Sequence, residues 1–321
     1  MAVNGANDVA RWLDWPGCIA AVREAMAGLT AEGREQPLRS ITALEPGKLF
    51  ALMPGVAPAR TGFGAKVLSV FDDPARPGRS RHRGGVLLFE RESGEPVCFA
   101  DAHEITRIRT GCASAVATDH LARRDARVLA IFGTGTQAEA HCHALRLVRR
   151  FERVVIWGRD PGRAATLAAR LAAASGDTVV AVADAAEAAG QADVICTTTS
   201  SAAPVLRRAW LRPGTHVNAV GSSFPGPVEV DDELVVASRY VADSRRSALA
   251  AAAEFLKARA AGLVTDAHIV AEIGEVLLGR VAGREHDAQL TLYKSLGHVV
   301  QDLAAAAYVH RRATAAGVAP T

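Results

Sequence analysis

The stretch GTGTQA at 133–138 constrains the fold of this chain more than any other feature of its sequence. It follows an apolar run at 128–132 and opens a segment with helical spacing, and a second apolar run comes next at 153–157. In a G-x-G-x-x-A turn, Gly133 permits the tight bend, Gly135 lets the backbone approach a pyrophosphate, and the small last residue keeps helix and strand close. The exposed amides and the helix dipole then favour the phosphates. The sequence therefore predicts a dinucleotide-binding βαβ unit.

The second half of the chain alternates apolar runs with helical segments. Strands are predicted at 127–132, 153–157, 178–182, 194–198 and 216–220, and helices at 137–149 and 161–174. Buried apolar strands that alternate with helices are typical of a parallel sheet covered on both faces. We therefore expect a doubly wound α/β domain in this half.

The first third of the chain has a different pattern. Helical spacing at 8–33 is followed by short β-type runs bounded by Pro or Gly, at 38–44, 49–53, 63–71, 86–90 and 97–100. These runs predict two short helices followed by an antiparallel sheet. Further helices are predicted at 104–121 and, near the other end of the chain, at 290–313.

Length and composition narrow the class of protein and of partner. A chain of 321 residues predicts about two domains, and its 37 Lys and Arg against 34 Asp and Glu leave a dispersed net charge of +3 that does not favour nucleic acid. No window approaches the roughly 18 uncharged apolar residues of a membrane helix, and charges interrupt the first segment where a signal peptide could lie, so we expect a cytoplasmic protein. The five cysteines include no C-x-x-C pair, which predicts neither disulfides nor a metal site.

The end of the second predicted strand of the βαβ unit indicates which nucleotide binds. An Asp or Glu there would bind the ribose hydroxyls of NAD, and an Arg would accommodate the phosphate of NADP. The chain has Gly158 where the acid is expected, and Arg159 next to it can offer a planar guanidinium to a phosphate. Because Asp160 could repel that phosphate or turn toward a ribose, NAD stays open as the alternative to the favoured NADP.

Several sequence blocks occur in one order, namely QPLR at 36–39, GAKV at 64–67, IRTGCASA at 108–115, NAVG at 218–221 and YKSLG at 293–297. Together with the glycine turn, this order resembles the ornithine cyclodeaminase/mu-crystallin family. The resemblance implies a homodimer with an α+β substrate-binding and dimerisation domain built from both chain ends, 1–122 and 298–321. A Rossmann-type doubly wound parallel-sheet domain, 123–297, is inserted between them.

The resemblance also implies an oxidoreductase that moves a hydride between a nicotinamide and the α-carbon of a small amino acid or of its imine. Imine reduction is the leading hypothesis, with pyrroline-2-carboxylate, piperideine-2-carboxylate and iminosuccinate as substrate types. Ornithine cyclodeaminase activity, from L-ornithine to L-proline plus ammonia, is the second. A non-catalytic, NADPH-dependent binder of small ligands, of mu-crystallin type, is the third.

Three cations match the family's positions around the substrate carboxylate: Arg39, Lys66 and Arg109. Grouped in one cleft, the three cations would hold an α-carboxylate, with an Arg binding both of its oxygens. This would fix the α-carbon at hydride-transfer distance. Lys66 is in addition the candidate catalytic residue, because an ammonium among other cations can have a lowered pKa and transfer a proton.

The glycine turn and the matching blocks assign a larger set of residues to the cofactor. These are Arg109, Thr110, Gly133, Gly135, Thr136, Gln137, Arg159, Thr198, Val220, Gly221, Lys294 and Ser295.

One residue departs from the pattern of the family's cyclodeaminases. Those members have an Asp after the NAVG block, taken to receive the distal amine of the substrate, and Ser223 stands at that place in this chain. A hydroxyl neither pairs a buried ammonium as a carboxylate does nor serves as a base at neutral pH without help. Ketimine reductases of mu-crystallin type resemble this chain in having Ser there, so the departure favours imine reduction.

Nearby acids and three further side chains complete the candidate site. Glu229, Asp231 and Asp232 could replace the missing Asp, although a solvated helix cap is the simpler interpretation of all three. His298 is predicted to contact substrate, and with Phe224 and His82 it is a candidate wall of the pocket.

Overall fold

A computed structural model of the chain describes residues 1–58, 61–71 and 82–317. The chain divides into two compact units, one made of Met1–Arg109 with His298–Thr321 and the other of Thr110–Gly297. The first unit therefore contains both chain ends, and the second is inserted between them. The expected α/β fold with an inserted Rossmann-type domain is confirmed.

The first unit is built on a mixed six-stranded sheet. Its leading elements are β1 (Ala2–Asn4), α1 (Ala6–Trp12), α2 (Trp15–Ala31), β2 (Ser40–Glu45), β3 (Lys48–Val56), β4 (Phe63–Phe71), β5 (His82–Phe89) and β6 (Pro96–Asp101). The strand order is β1-β6-β5-β4-β3-β2, antiparallel throughout except for β1, which pairs parallel with β6. The antiparallel sheet predicted from the short apolar runs is thus present, whereas the three-residue strand β1 was not predicted.

Helix α3 (Ala102–Leu121) crosses the division between the units, which falls between Arg109 and Thr110. The sequence analysis put this boundary after residue 122, at the end of the helix. The difference has a physical cause in the close packing of the second unit, because a Cβ on Gly111 would lie 2.8 Å from the carbonyl oxygen of Ala140. From Thr110 onward the helix belongs by its contacts to that unit.

The second unit contains an eight-stranded parallel sheet. Its strands are β7 (Val128–Phe132), β8 (Arg153–Trp157), β9 (Val179–Ala181), β10 (Val194–Thr197), β11 (His216–Ala219), β12 (Arg239–Ala242), β13 (Ile269–Glu272) and β14 (Thr291–Lys294). They run in the order β13-β12-β14-β11-β10-β7-β8-β9, with every pairing parallel. Its helices are α4 (Thr136–Leu145), α5 (Pro161–Ser175), α6 (Ala185–Gly190), α7 (Asp232–Ala237), α8 (Arg245–Ala251), α9 (Ala253–Ala260) and α10 (Ile273–Leu277), with short 3₁₀ turns at Arg208–Trp210 and Asp266–His268.

The prediction of one long helix over 290–313 is wrong in its first part. Thr291–Lys294 forms β14, a fully buried strand paired with β11 and β12, and the last helix α11 (Val299–Ala315) begins after it in the first unit. The apolar residues of this short run have helical spacing by chance, and the hydrogen bonds that make it a strand come from segments far away in the sequence. Within the described ranges, no helix combines the length and apolar character needed to cross a membrane.

The close approach at Gly111 gives a test of this packing. Alanine has the better helix propensity, yet its Cβ would meet backbone atoms of Ala140 at 2.8 and 3.0 Å, so one helix must shift. We expect Gly111→Ala to lower the free energy of unfolding by about 1–3 kcal/mol, as overpacking does. In the matched variant Gly190→Ala the nearest atom lies at 3.7 Å, and stability should change little. Equal stability of the two variants in thermal or urea unfolding would contradict the packing argument.

Candidate functional site

A cluster of buried charges lies in the first unit. Lys66 on β4 and Arg109 on α3 are 3% and 4% exposed, and Asp302 on α11 is fully buried. One oxygen of that carboxylate, Oδ1, accepts hydrogen bonds from Lys66 Nζ and from Arg109 Nε, each at 3.0 Å. The structure therefore brings together two of the three predicted cations, through an acid that was not predicted.

Neutral partners fix the remaining geometry of the cluster. Lys66 Nζ also donates to Thr106 Oγ1 at 2.5 Å, and Arg109 Nη1 donates to Gln301 Oε1 at 2.9 Å. Thr106 in turn donates to the carbonyl of Ala102 at 2.6 Å, so its oxygen is oriented to accept from the ammonium. With Nε and one Nη1 hydrogen engaged, the guanidinium keeps its Nη atoms for a further carboxylate. The predicted bidentate hold on a substrate is thus limited to the Nη end.

Burial controls the protonation of this cluster. Desolvation lowers the pKa of Lys66 to about 8, Asp302 raises it, and Arg109 and Arg39 lower it further. Burial by itself would raise the pKa of Asp302, but Arg109 and Lys66 hold it below its usual value. Asp302 is therefore ionised at neutral pH, whereas Lys66, with its pKa of about 8, loses its proton just above neutral pH.

Two other predicted residues of this unit, Arg39 and His298, lie close to the cluster. Arg39 immediately precedes β2, is half-buried, and acts on the charges of both Lys66 and His298. His298 caps α11, where its Nδ1 accepts from Val300 N at 3.3 Å, so the ring hydrogen sits on Nε2. Desolvation lowers the pKa of His298 to about 4, so this ring is a neutral donor at physiological pH. His82 begins β5, and its side chain lies outside the described residues.

The sequence did contain a signal for Asp302 that we did not use. An acid at this position interrupts the apolar face of the last helix, between Val300 and Leu303, and a buried carboxylate requires a cation. Gln301 and Thr106 carried no such signal, because uncharged polar residues are common on helices.

The glycine turn lies between β7 and α4 in the second unit, in the strand–turn–helix context that was predicted. Gly133 has a φ of +136°, a conformation that favours glycine, and a Cβ there would lie 2.5 Å from Thr198 Oγ1. Gly135 is the N-cap of α4 and offers no side-chain acceptor to the first amides of the helix. The space into which a Cβ at Gly135 would project is open. The backbone amides of Thr136 and Gln137 open the helix, and the space beside Gly135 fits the phosphates of a dinucleotide.

The residues after β8 bear on the choice of nucleotide. Gly158 contacts the glycine turn closely, since a Cβ on it would lie 2.6 Å from Thr134 Cγ2. Arg159 is exposed. One oxygen of Asp160 accepts from the amides of Gly162 and Arg163 at 2.9 and 3.1 Å as the cap of α5.

Glu229 is a correction to the sequence analysis, which favoured a solvated helix cap. It is 1% exposed and accepts four hydrogen bonds, from Thr199 N and Oγ1, Thr197 Oγ1 and Gly221 N, at 2.6 to 2.9 Å. Desolvation raises the pKa of Glu229 despite these donors. This carboxylate ties the segment after β10 to the segment after β11, at the carboxyl edge of the sheet where dinucleotides bind in such folds.

The other two acids after β11 have local partners. Asp231 caps α7, accepting from Leu234 N at 3.0 Å, as the sequence predicted. Asp232 lies 3.0 Å from Lys257 Nζ. Ser223 is half-buried, and Phe224 beside it is 50% exposed.

Lys294, which the matching blocks assign to the cofactor, has protein partners at the carboxyl end of β14. Its side chain is fully buried and pairs with Glu254 Oε1 at 2.6 Å, and it donates to the carbonyl and hydroxyl of Ser222 at 2.5 and 2.8 Å. Ser222 Oγ in turn donates to Glu254 Oε2 at 2.9 Å. The ammonium of Lys294 thus connects the segment that follows β11 to Glu254 on α9.

Of the remaining residues assigned to the cofactor, Val220 directly follows β11, Ser295 directly follows β14, and Thr110 lies on α3. Val220 N donates to the carbonyl of Thr197 at 3.0 Å, and Ser295 N donates to that of Ala219 at 3.1 Å. The hydroxyl of Ser295 is buried and has no hydrogen-bond partner among the described residues. Thr110 is buried and begins the second unit.

The chain is similar to known proteins over nearly its whole length. A profile of the Ornithine cyclodeaminase/mu-crystallin family matches residues 2–317. A Delta(1)-pyrroline-2-carboxylate reductase of Bacillus cereus is 33% identical over 320 residues, which cover 99% of this chain and 98% of the relative.

Two solved structures are similar over nearly their whole length. The Delta(1)-pyrroline-2-carboxylate reductase of Thermococcus litoralis, in complex with NADH and L-proline, has a TM-score of 0.94 and 29% identity, and covers 99% of each chain. The iminosuccinate reductase of Paracoccus denitrificans, in complex with NAD+, has a TM-score of 0.93 and 28% identity, over 99% of this chain and 98% of that one. With a family profile that spans almost all of its residues and relatives of matching length, the chain belongs to the ornithine cyclodeaminase/mu-crystallin family.

Proposed function

We propose that this protein is an NAD(P)-dependent reductase that converts the imine of a small α-amino acid into the amine. The observation that carries the proposal is the buried pair Lys66 and Arg109, whose remaining donors suit a carboxylate and whose ammonium titrates near neutral pH. The glycine turn, with its open Gly135, supports a dinucleotide as the second reactant. The names of the relatives point the same way.

Each of these residues has a defined task in the proposed reaction. Arg109 holds the α-carboxylate through its Nη atoms, and the positive charges of Lys66 and Arg39 attract it. Lys66 gives its proton to the imine nitrogen, and the imine carbon receives the hydride that NAD(P)H supplies when bound. The proton and the hydride together convert the C=N double bond into a C–N single bond. Glu229 and Lys294 hold the segments at the carboxyl edge of the parallel sheet in place.

The structure supports reduction over cyclodeamination. Ser223 stands where the resemblance predicts an Asp in cyclodeaminases, and each acid that could replace it is engaged elsewhere. Glu229 binds four donors, Asp231 caps a helix, and Asp232 pairs with Lys257. We propose pyrroline-2-carboxylate, piperideine-2-carboxylate or iminosuccinate as the substrate type.

Turnover assays separate the candidate activities. We expect NADPH oxidation with at least one of these imines, and no proline or ammonia from L-ornithine with catalytic NAD+ or NADP+, because Ser223 replaces the acid and Glu229, Asp231 and Asp232 are engaged by other partners. Robust proline formation would contradict the proposal and establish the cyclodeaminase reaction. Tight binding of such ligands without oxidation of NADPH would instead support the non-catalytic binder.

The role of Lys66 predicts a pH profile. Because the protonated form is the active one and its pKa is about 8, kcat/KM should be level below that pH and fall as pH rises through it. Lys66→Met should lower kcat by about 10²–10⁴-fold, the usual contribution of a general acid, and leave the affinity for NADPH unchanged. Lys66→Arg is the matched control, since it keeps the charge but cannot donate a proton at these pH values. It should retain the KM for the imine better than its kcat, and wild-type rates in either variant would refute the role.

We propose NADP as the preferred cofactor, because Arg159 is exposed after β8, Gly158 stands where NAD-binding members would have an acid, and Asp160 is used as a helix cap. Arg159→Ala should raise the KM for NADPH about tenfold or more, as loss of a hydrogen bond to a charged group does, with little effect on NADH. Arg153→Ala, at the opposite end of β8, removes the same charge and should change neither KM. An unchanged NADPH/NADH ratio in Arg159→Ala would argue for NAD.

We further propose that the protein is a homodimer, as the family resemblance implies. Strand β2 lies at the edge of the six-stranded sheet with every residue exposed. Leu38, Ile41, Leu44 and Phe50, all in or next to β2 and β3, are 40–54% exposed. Such a group of apolar side chains on an unpaired edge suits an interface with a second copy. The cytoplasmic location stays a prediction from the sequence.

A further inference from the structure

The first unit carries a carboxylate whose position neither the motifs nor the proposed reaction explains. Asp302 is fully buried, and a single oxygen, Oδ1, binds both Lys66 and Arg109. The other oxygen, Oδ2, is buried as well and accepts no hydrogen bond from any described residue. A buried acid with a purely structural task normally has both oxygens satisfied. The position of Asp302 is therefore set by the two cations it joins.

Electrostatics explain why two buried cations need this acid. Lys66 lies among positive charges, with Arg109 on α3 and Arg39 before β2 both acting on it, and His298 on α11 is neutral at physiological pH. Like charges in a medium of low polarity repel, and burial alone already disfavours the ammonium. Thr106 and Gln301 satisfy hydrogen bonds but contribute no net charge. Asp302 supplies the opposing charge, in direct hydrogen-bond contact with both cations.

The shared oxygen also determines which donors remain for a ligand. Asp302 and Thr106 take two of the three hydrogens of the ammonium, and Asp302 and Gln301 take Nε and one Nη1 hydrogen of the guanidinium. Among the described residues, no partner takes the third hydrogen of the Lys66 ammonium, the second Nη1 hydrogen of Arg109 or its two Nη2 hydrogens, so these remain for a ligand. Because both cations are bound to the same atom, their orientations are coupled, and neither can rotate without breaking its bond to Oδ1.

We propose that Asp302 is a positioning residue, which keeps Lys66 charged and fixes Lys66 and Arg109 jointly in the orientation that receives the substrate's carboxylate. The inference rests on the proposed function, in which those two cations bind that carboxylate. Asp302 itself does not contact the substrate. Its effect is exerted through the protonation of Lys66 and the geometry of the pair.

The test is the pH dependence of imine reduction by the full-length Asp302→Asn protein. Asparagine has the same shape but no charge, so Lys66 should lose its proton at lower pH. We expect the alkaline limb of kcat/KM to move toward acid by about one pH unit or more, which is a tenfold loss of activity above the new limb. We also expect a higher KM for the imine, with an unchanged Kd for NADPH. A wild-type limb and a wild-type KM would overturn the proposal, since a merely structural residue would change stability alone.

Two further variants keep the test decisive. Asp119→Asn removes a carboxylate that pairs with the buried Arg149 in the second unit, and it should lower thermal stability without moving the alkaline limb. A limb that moves equally in this control would also overturn the proposal. If Asp302→Asn does not fold, Asp302→Glu decides. It restores the charge but displaces the oxygen, so the alkaline limb should stay while KM rises severalfold, and a wild-type KM would count against positioning.

The outcomes also separate this inference from the proposed function. Wild-type turnover in Lys66→Met would remove the proposed role of Lys66 and the inference with it. An inactive Lys66→Met together with an Asp302→Asn protein that keeps the wild-type pH profile would refute the inference alone.

Discussion

Charge taken out of water must be paired, and this constraint determines the form of both candidate sites. In the first unit the carboxylate of Asp302 compensates Lys66 and Arg109, and in the second unit Glu254 compensates Lys294. Burial costs each ion its hydration, so an ion retained in a core needs close partners in a fixed geometry. Burial also has two consequences for these pairs. Close partners hold the charged groups in fixed orientations, and desolvation lowers the pKa of Lys66 to about 8.

Hydrogen bonding by a buried carboxylate serves a related purpose at the edge of the parallel sheet. Glu229 gathers donors from Thr197, Thr199 and Gly221, and thereby joins the segments that follow two neighbouring strands. Gly221 is required at this place, since a Cβ there would lie 2.0 Å from the carbonyl oxygen of Thr199. Loops at this edge are usually weakly connected to one another, but here the hydrogen bonds of one buried carboxylate join two of them. Lys294 and Ser222 extend that network.

Local patterns were sufficient to predict much of the fold. The turn at Gly133, the alternation of apolar runs with helices, and the short runs of the first third each express a preference of adjacent residues, and the structure has the corresponding strands and helices. The failures occurred where distant segments decide the outcome. Residues 291–294 become a strand only because β11 and β12 lie on either side, and Glu229 is buried because it accepts from donors in the segments after β10 and β11.

The sequence by itself determined the fold class, the glycine turn and which cationic residues are candidates for a substrate site, because glycine spacing, apolar periodicity and motif order are properties of neighbouring residues. Only the tertiary structure decided how those charges are paired. Asp302 follows Lys66 by more than two hundred positions, Glu229 was expected in solvent and is buried, and Lys294 pairs with Glu254 on α9. Pairing of buried ions depends on which elements pack together, and no local pattern encodes the identity of a partner from a distant strand or helix.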